Sequence, residues 1–167
     1  GAKVTIGGTG GALVTNSQKI YKLAKIYSQY GRTDSVKQYW SDYPGFNYSM
    51  SNLNAALAIA QIKRYEELVK YKRKIFSWYE EYLEDLCFLK KIHIKKEYNN
   101  SRSTYCYPII EILSKNKKIR DSLILYLNKF NIDARCAQPR CSQMKIFKNK
   151  TNNKISKKAE EFGLILP

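Results

Sequence analysis

Histidine is nearly absent from this sequence. His93 stands alone between Ile92 and Ile94, so a catalytic triad or a multi-histidine metal site has almost nothing to be built from. The four cysteines (Cys87, Cys106, Cys136 and Cys141) include no Cys-x-x-Cys pair. Their spacing fits free thiols in a reducing compartment better than zinc ligands or a disulfide framework. No run of 18 apolar residues exists, which excludes a helical membrane span, and no signal-peptide pattern is visible. Acidic residues are scarce, 14 against 30 Lys and Arg, for a net charge of +16. Such an excess raises nucleic acid as a partner. Only seven of the 30 basic residues are Arg, however, and Lys is a point charge poorly suited to reading bases. The expectation is a Lys-rich solvated surface with no specific nucleic acid partner, a basic nucleic-acid-binding module being the weakest alternative.

What is present is apolar and aromatic: 44% hydrophobic residues, 13% aromatic, 14 tyrosines in 167 residues. That composition belongs to a folded chain with room for one domain or parts of two. Residues 3–15 read as a glycine-interrupted turn followed by a short strand, Gly11 to Thr15. Asn16 or Ser17 caps a helix with Ile20, Leu23, Ala24 and Tyr27 on its apolar face and Gly31 in the C′ position. From Arg32 to Tyr48 runs a loop holding Tyr39, Trp40, Tyr43, Phe46 and Tyr48, and so rich an aromatic loop points to function rather than disorder. Ser51 or Asn52 starts a helical stretch to about Leu86. Its first part, Leu53 to Ile62, is almost wholly apolar and is predicted to be buried on most sides. Its second part carries Leu68, Tyr71, Ile75, Trp78, Tyr79 and Leu83 as a core stripe. The character of the pattern changes near Lys63 and Arg64, where a domain boundary is placed. Beyond lie an edge strand within 89–97, a strand over 104–113 whose Pro108 suits an edge or bulge, and a helix at 117–130 with Asn131 as a left-handed stop. A short strand at 132–136 and a helix at 155–162 ended by Gly163 complete a small α+β unit.

Two segments carry chemistry. Gly7-Gly8-Thr9-Gly10-Gly11 allows backbone amides to crowd an anion, but lacks the Gly-Lys-Ser/Thr ending of a P-loop. Lys3 lies five residues before Gly8; a lysine desolvated beside such a segment becomes a neutral nucleophilic amine toward carbonyls. The run Lys3-Val4-Thr5-Ile6-Gly7-Gly8-Thr9-Gly10-Gly11-Ala12-Leu13-Val14-Thr15 resembles the Lys-x-x-x-Thr-Gly-x-Gly-Gly-x-x-x-Thr segment of the DegT/DnrJ/StrS family of sugar aminotransferases. Gly45-Phe46-Asn47-Tyr48-Ser49-Met50-Ser51-Asn52, followed by Ala55-Ala56 and Gln61, resembles that family's Gly-Tyr-Asn-Tyr-Arg-Met-(Ser/Thr)-Asn-x-x-Ala-Ala-x-x-x-x-Gln. Weaker matches at Tyr39-Trp40, Lys72-Arg73, Trp78-Tyr79 and Gly163 to Pro167 extend the likeness along essentially the whole chain.

The resemblance implies a fold-type-I pyridoxal-phosphate enzyme, an α/β fold with an α+β small domain, cytoplasmic, dimeric and normally longer than this chain. Residues 1–64 would be the C-terminal part of the large cofactor-binding domain and 65–167 most of the small domain. Lys3 would attach covalently to pyridoxal 5'-phosphate and later move the proton; Asn47 would reach the cofactor phosphate, in relatives across the dimer interface. Tyr39, Trp40 and Ser49 would face the substrate, a nucleotide-linked keto-sugar aminated at the expense of glutamate. Three departures stand out: Ser49 replaces the family's Arg, Ser41 its frequent His after Tyr-Trp, and Gly7 its Thr. They leave open a catalytically inactive or regulatory relative.

Overall fold

Where a strand can find partners decides most of this architecture. The computed structural model describes residues 3–5, 7–34, 37–114, 116–147 and 153–167, which form two compact units, 3–65 and 66–167.

In the first unit, residues 11–15, the expected strand, join no ladder among the described residues. The β-branched pattern is there, yet a strand exists only when a neighbour takes its hydrogen bonds. Helix α1 (Gln18–Ser28) starts where the Ser17 hydroxyl accepts the Ile20 N–H. It ends one residue earlier than expected: Tyr30 already turns left-handed at φ 62°, and Gly31 follows at φ 71°, its N–H returning to Ile26 O at 2.9 Å. Helix α2 (Asn52–Lys63) is capped by Ser51. Its expected burial is absent: Leu53 is 84% exposed, and Leu57, Ile59 and Ile62 are also exposed. No described element lies over these side chains.

The second unit opens with α3 (Tyr65–Tyr82), separated from α2 by a break at Arg64. Its covered stripe is rotated from the expected one: Val69 and Phe76 are buried, Tyr79 and Leu83 pack against the core, and Tyr71 and Trp78 are exposed. After α4 (Glu84–Phe88) come β1 (Ile92–Ile94), β2 (Ile109–Ile112), α5 (Lys118–Lys129), β3 (Arg135–Cys136), α6 (Lys154–Phe162) and β4 (Gly163–Ile165). The sheet order is β1-β2-β4-β3 with every pair antiparallel. β1 is an edge strand, as expected; β2 is not. Pro108 lies just ahead of β2, where it has no ladder N–H to supply, while its carbonyl accepts Leu166 N–H at 2.9 Å. Gly163 ends α6 as expected, capping it at φ −76°, and also opens β4.

The core packs Phe76, Ile92, Ile94, Ile110, Ile112, Ala134, Leu164 and Leu166 together, with Leu123, Ile124 and Leu127 of α5 against it. Phe76 stacks on Tyr105 at 3.6 Å between centroids. Beside them Arg73 grips Glu97 with two hydrogen bonds of 2.6 and 2.9 Å, and Glu97 also accepts Ser103 N–H at 2.6 Å. The Arg73 guanidinium first, and the Ser103 amide second, hold the Glu97 carboxyl down at about 2.

Candidate active site

The glycine segment is shaped by α2. Asn54, one turn into that helix, donates from Nδ2 to Thr9 O at 2.9 Å and to Thr9 Oγ1 at 3.2 Å. Gly8 sits at φ +73°, and a Cβ there would come within 2.6 Å of Asn54 Oδ1. Glycine is therefore favoured at Gly8 by its backbone conformation, and a Cβ there would also push aside the Asn54 carboxamide that ties this segment to α2. Lys3 heads this segment in a bend and is exposed. The desolvation expected from sequence is thus not provided by the described residues, because none of them roofs the lysine.

Asn47 is placed by α1. Its backbone bridges to Gln29, while Phe46 N–H donates to Tyr27 O at 2.7 Å and Tyr48 N–H to Ser28 O at 3.0 Å. These amides satisfy carbonyls that the last turn of a helix otherwise leaves unpaired. The Phe46 and Tyr48 rings stack on one face of this extended stretch, 5.0 Å apart, so alternation sends Asn47 to the opposite face. Its carboxamide makes no hydrogen bond among the described residues and is not consumed by a cap or turn. Ser49 is exposed, its hydroxyl 3.5 Å from Ser28 O. Tyr39 is 86% and Trp40 52% exposed, in a loop tied back to α1 by Asp42 and Tyr43 N–H groups donating to Gly31 O.

One hollow within residues 3–65 takes in the end of the glycine segment and Tyr48, and is not lined by Lys3, Tyr39, Trp40, Asn47 or Ser49. Gly11, Ala12 and Leu13 line, with Tyr21, Ala24, Lys25 and Ser28 of α1 and with Tyr48, this hollow of about 520 Å³. Sequence reasoning missed Asn54 and Asp42. A signal for Asn54 existed, a polar side chain on an otherwise apolar helix. Among the described residues no cluster of three or more His, Cys, Asp or Glu is placed to hold a metal ion, and no helix is long and apolar enough to cross a membrane.

Pyridoxal phosphate calls for a primary amine toward its aldehyde and polar donors toward its phosphate, and the exposed Lys3 amine and Asn47 carboxamide are groups of those kinds. The architecture is that of the fold-type-I pyridoxal-phosphate transferases. It superposes on the *Helicobacter pylori* aminotransferase PseC with a TM-score of 0.80 at 16% identity, over 92% of this chain and 42% of that one. The PLP form of the sugar aminotransferase Spr1654 from *Streptococcus pneumoniae* gives 0.77 at 21% identity, over 94% and 40%. The chain belongs to the DegT/DnrJ/EryC1/StrS aminotransferase family, whose profile matches residues 1–167. It is 32% identical over 136 residues to the GDP-perosamine synthase of *Vibrio cholerae*, covering 81% of this chain and 35% of that protein. A *Campylobacter jejuni* UDP-4-amino-4,6-dideoxy-N-acetyl-beta-L-altrosamine transaminase is 29% identical over 121 residues, 69% of this chain and 31% of its own length. The chain thus spans about a third of the length of these curated relatives.

Proposed function

We propose that the protein carrying this chain is a pyridoxal-phosphate aminotransferase that aminates a nucleotide-linked keto-sugar, with glutamate as donor. The observation that carries the reading is the lysine-headed glycine bend, held by Asn54 in the same unit as an uncommitted Asn47 side chain. Residues 1–64 then close the large domain and 65–167 make up most of the small one. Pyridoxal phosphate, when bound, supplies the electron sink and the carrier for the amino group. Lys3 would hold the cofactor through Nζ, and its amine would accept and return the proton exchanged during amino transfer. Asn47 would donate to the cofactor phosphate. Tyr39, Trp40 and Ser49 face the acceptor, and serine in place of arginine offers a hydroxyl where relatives present a cation. The bare apolar surface of α2 supports a second copy of the protein at this site, and the work suits a cytoplasmic enzyme.

Borohydride reduction in the presence of pyridoxal phosphate, followed by peptide mapping, tests the assignment. The expected result is a stable label on Lys3 that Lys3→Ala removes. Label elsewhere sinks the lysine assignment, and no label at all favours an inactive relative.

A further inference from the structure

At Tyr39, in the aromatic loop, the backbone carries a cost that packing does not return. Tyr39 adopts φ 61°, a region that bulky side chains occupy only where their surroundings over-determine it, yet its ring remains largely in solvent. What determines the loop is Asp42. One carboxylate oxygen accepts the Trp40 indole N–H at 2.9 Å, the other accepts the Thr33 hydroxyl, and the Asp42 backbone N–H donates to Gly31 O at 3.1 Å. The Lys37 ammonium lies over the Trp40 ring at 4.7 Å. An exposed indole is thereby fixed in orientation, beside an exposed tyrosine held in an unfavourable backbone state.

We infer that Asp42 is a positioning residue that sets Trp40, with Tyr39 beside it, as a stacking face for the base of the nucleotide-linked acceptor. This rests on the nucleotide-sugar reading above. Every base offers a π face, so such a platform tolerates purine and pyrimidine alike, and Lys37 adds a cation close to where a diphosphate would follow.

The chain has two tryptophans, and subtracting the emission of a Trp40→Phe variant isolates the Trp40 signal. GDP and UDP are expected to quench its emission saturably, while inorganic pyrophosphate does not. Asp42→Leu is expected to weaken GDP binding by about tenfold and to make Trp40 more accessible to acrylamide. Asp42→Asn keeps a carbonyl for the indole N–H and an amide for Thr33, and restores GDP affinity to within about threefold. Thr33→Val, which leaves the carboxylate in place, is expected to fall between Asn and Leu and serves if the Leu variant does not fold. Equal GDP affinity in all variants, equal quenching by pyrophosphate, or an Asn variant no better than Leu overturns the inference. Lys3 mapping is read separately. Label on Lys3 without quenching by GDP or UDP rejects the platform alone; quenching without label keeps the platform and rejects the aminotransferase.

Discussion

Residues 3–65 and residues 66–167 are held together by different physics. Every buried hydrophobic side chain among the described residues, from Val69 to Leu166, lies in the second region. The first contains the most continuously apolar of the described helices, α2, and buries none of it; its one buried residue among those described is Gly31, packed against the Tyr43 and Gly45 backbone. One region is a core wrapped around a sheet. The other is a set of close backbone approaches around α1, with its apolar surface offered outward. Apolarity in a sequence thus states a demand for cover, and the structure shows which part of the chain meets that demand internally.

The largest effect should come from the core. Leu164 is 0% exposed on the central strand β4, and Leu164→Ala is expected to cost about 2–5 kcal/mol through lost transfer energy and the cavity left behind. In the isolated monomer, where no second copy covers α2, the same truncation at Leu53 should cost less than about 0.5 kcal/mol. Urea denaturation of the two variants checks this, and equal shifts in midpoint would erase the contrast between the regions.

In the first region the sensitive position is a glycine. A Cβ on Gly31 would meet the Tyr43 carbonyl at a residue already at φ +71°, so Gly31→Ala is expected to cost about 2 kcal/mol or more. Gly11→Ala, where a Cβ meets nothing within 4 Å, is the control. Hydrogen exchange should show Phe46 and Tyr48 amides losing protection in the Gly31 variant while the β2 and β4 ladder amides keep theirs. Loss of protection in both regions together would mean that they unfold as one body.

Local chemistry made much of this legible in sequence. Ser17 and Ser51 cap helices where hydroxyls precede apolar periodicity, and Asn131 turns left-handed at φ 59°. The Lys3 and Asn47 segments are legible through their resemblance to the family's motifs, and the family is the one that matches the chain. Features that depend on remote partners were not. β4 is a central strand only three residues long, and Gly163-Leu164-Ile165 carries too short a pattern to mark it; its partners β2 and β3 are supplied by earlier parts of the chain. Conversely Gly11 to Thr15 looks like a strand and has no neighbour. Asn54 and Asp42 act through hydrogen bonds to Thr9, Thr33 and Trp40, and single-sequence periodicity does not encode which polar side chains meet.

The smallest effect probes how the second region deals with its one buried charge among the described residues. Glu111 is 3% exposed, on the face of β2 opposite Ile110 and Ile112. Lys95 hydrogen-bonds one carboxylate oxygen, and the Lys158 ammonium of α6 lies against the other. Burial pushes this carboxyl up; the hydrogen bonds and charges of Lys158 and Lys95 outweigh it, leaving the group below its ordinary value of 4.5. A depressed carboxyl stabilises the fold above the unfolded value and loses that contribution as pH falls through the folded one. Glu111→Gln is therefore expected to cost about 1 kcal/mol at pH 7, since Lys95 is 45% and Lys158 61% exposed and solvent screens them. The gap between wild type and variant in urea midpoint should close as the pH is lowered below 4.5. A gap that persists or widens in acid would show that shape complementarity, not charge pairing, holds α6 on the sheet, and would make the second region as purely apolar in its logic as its core suggests.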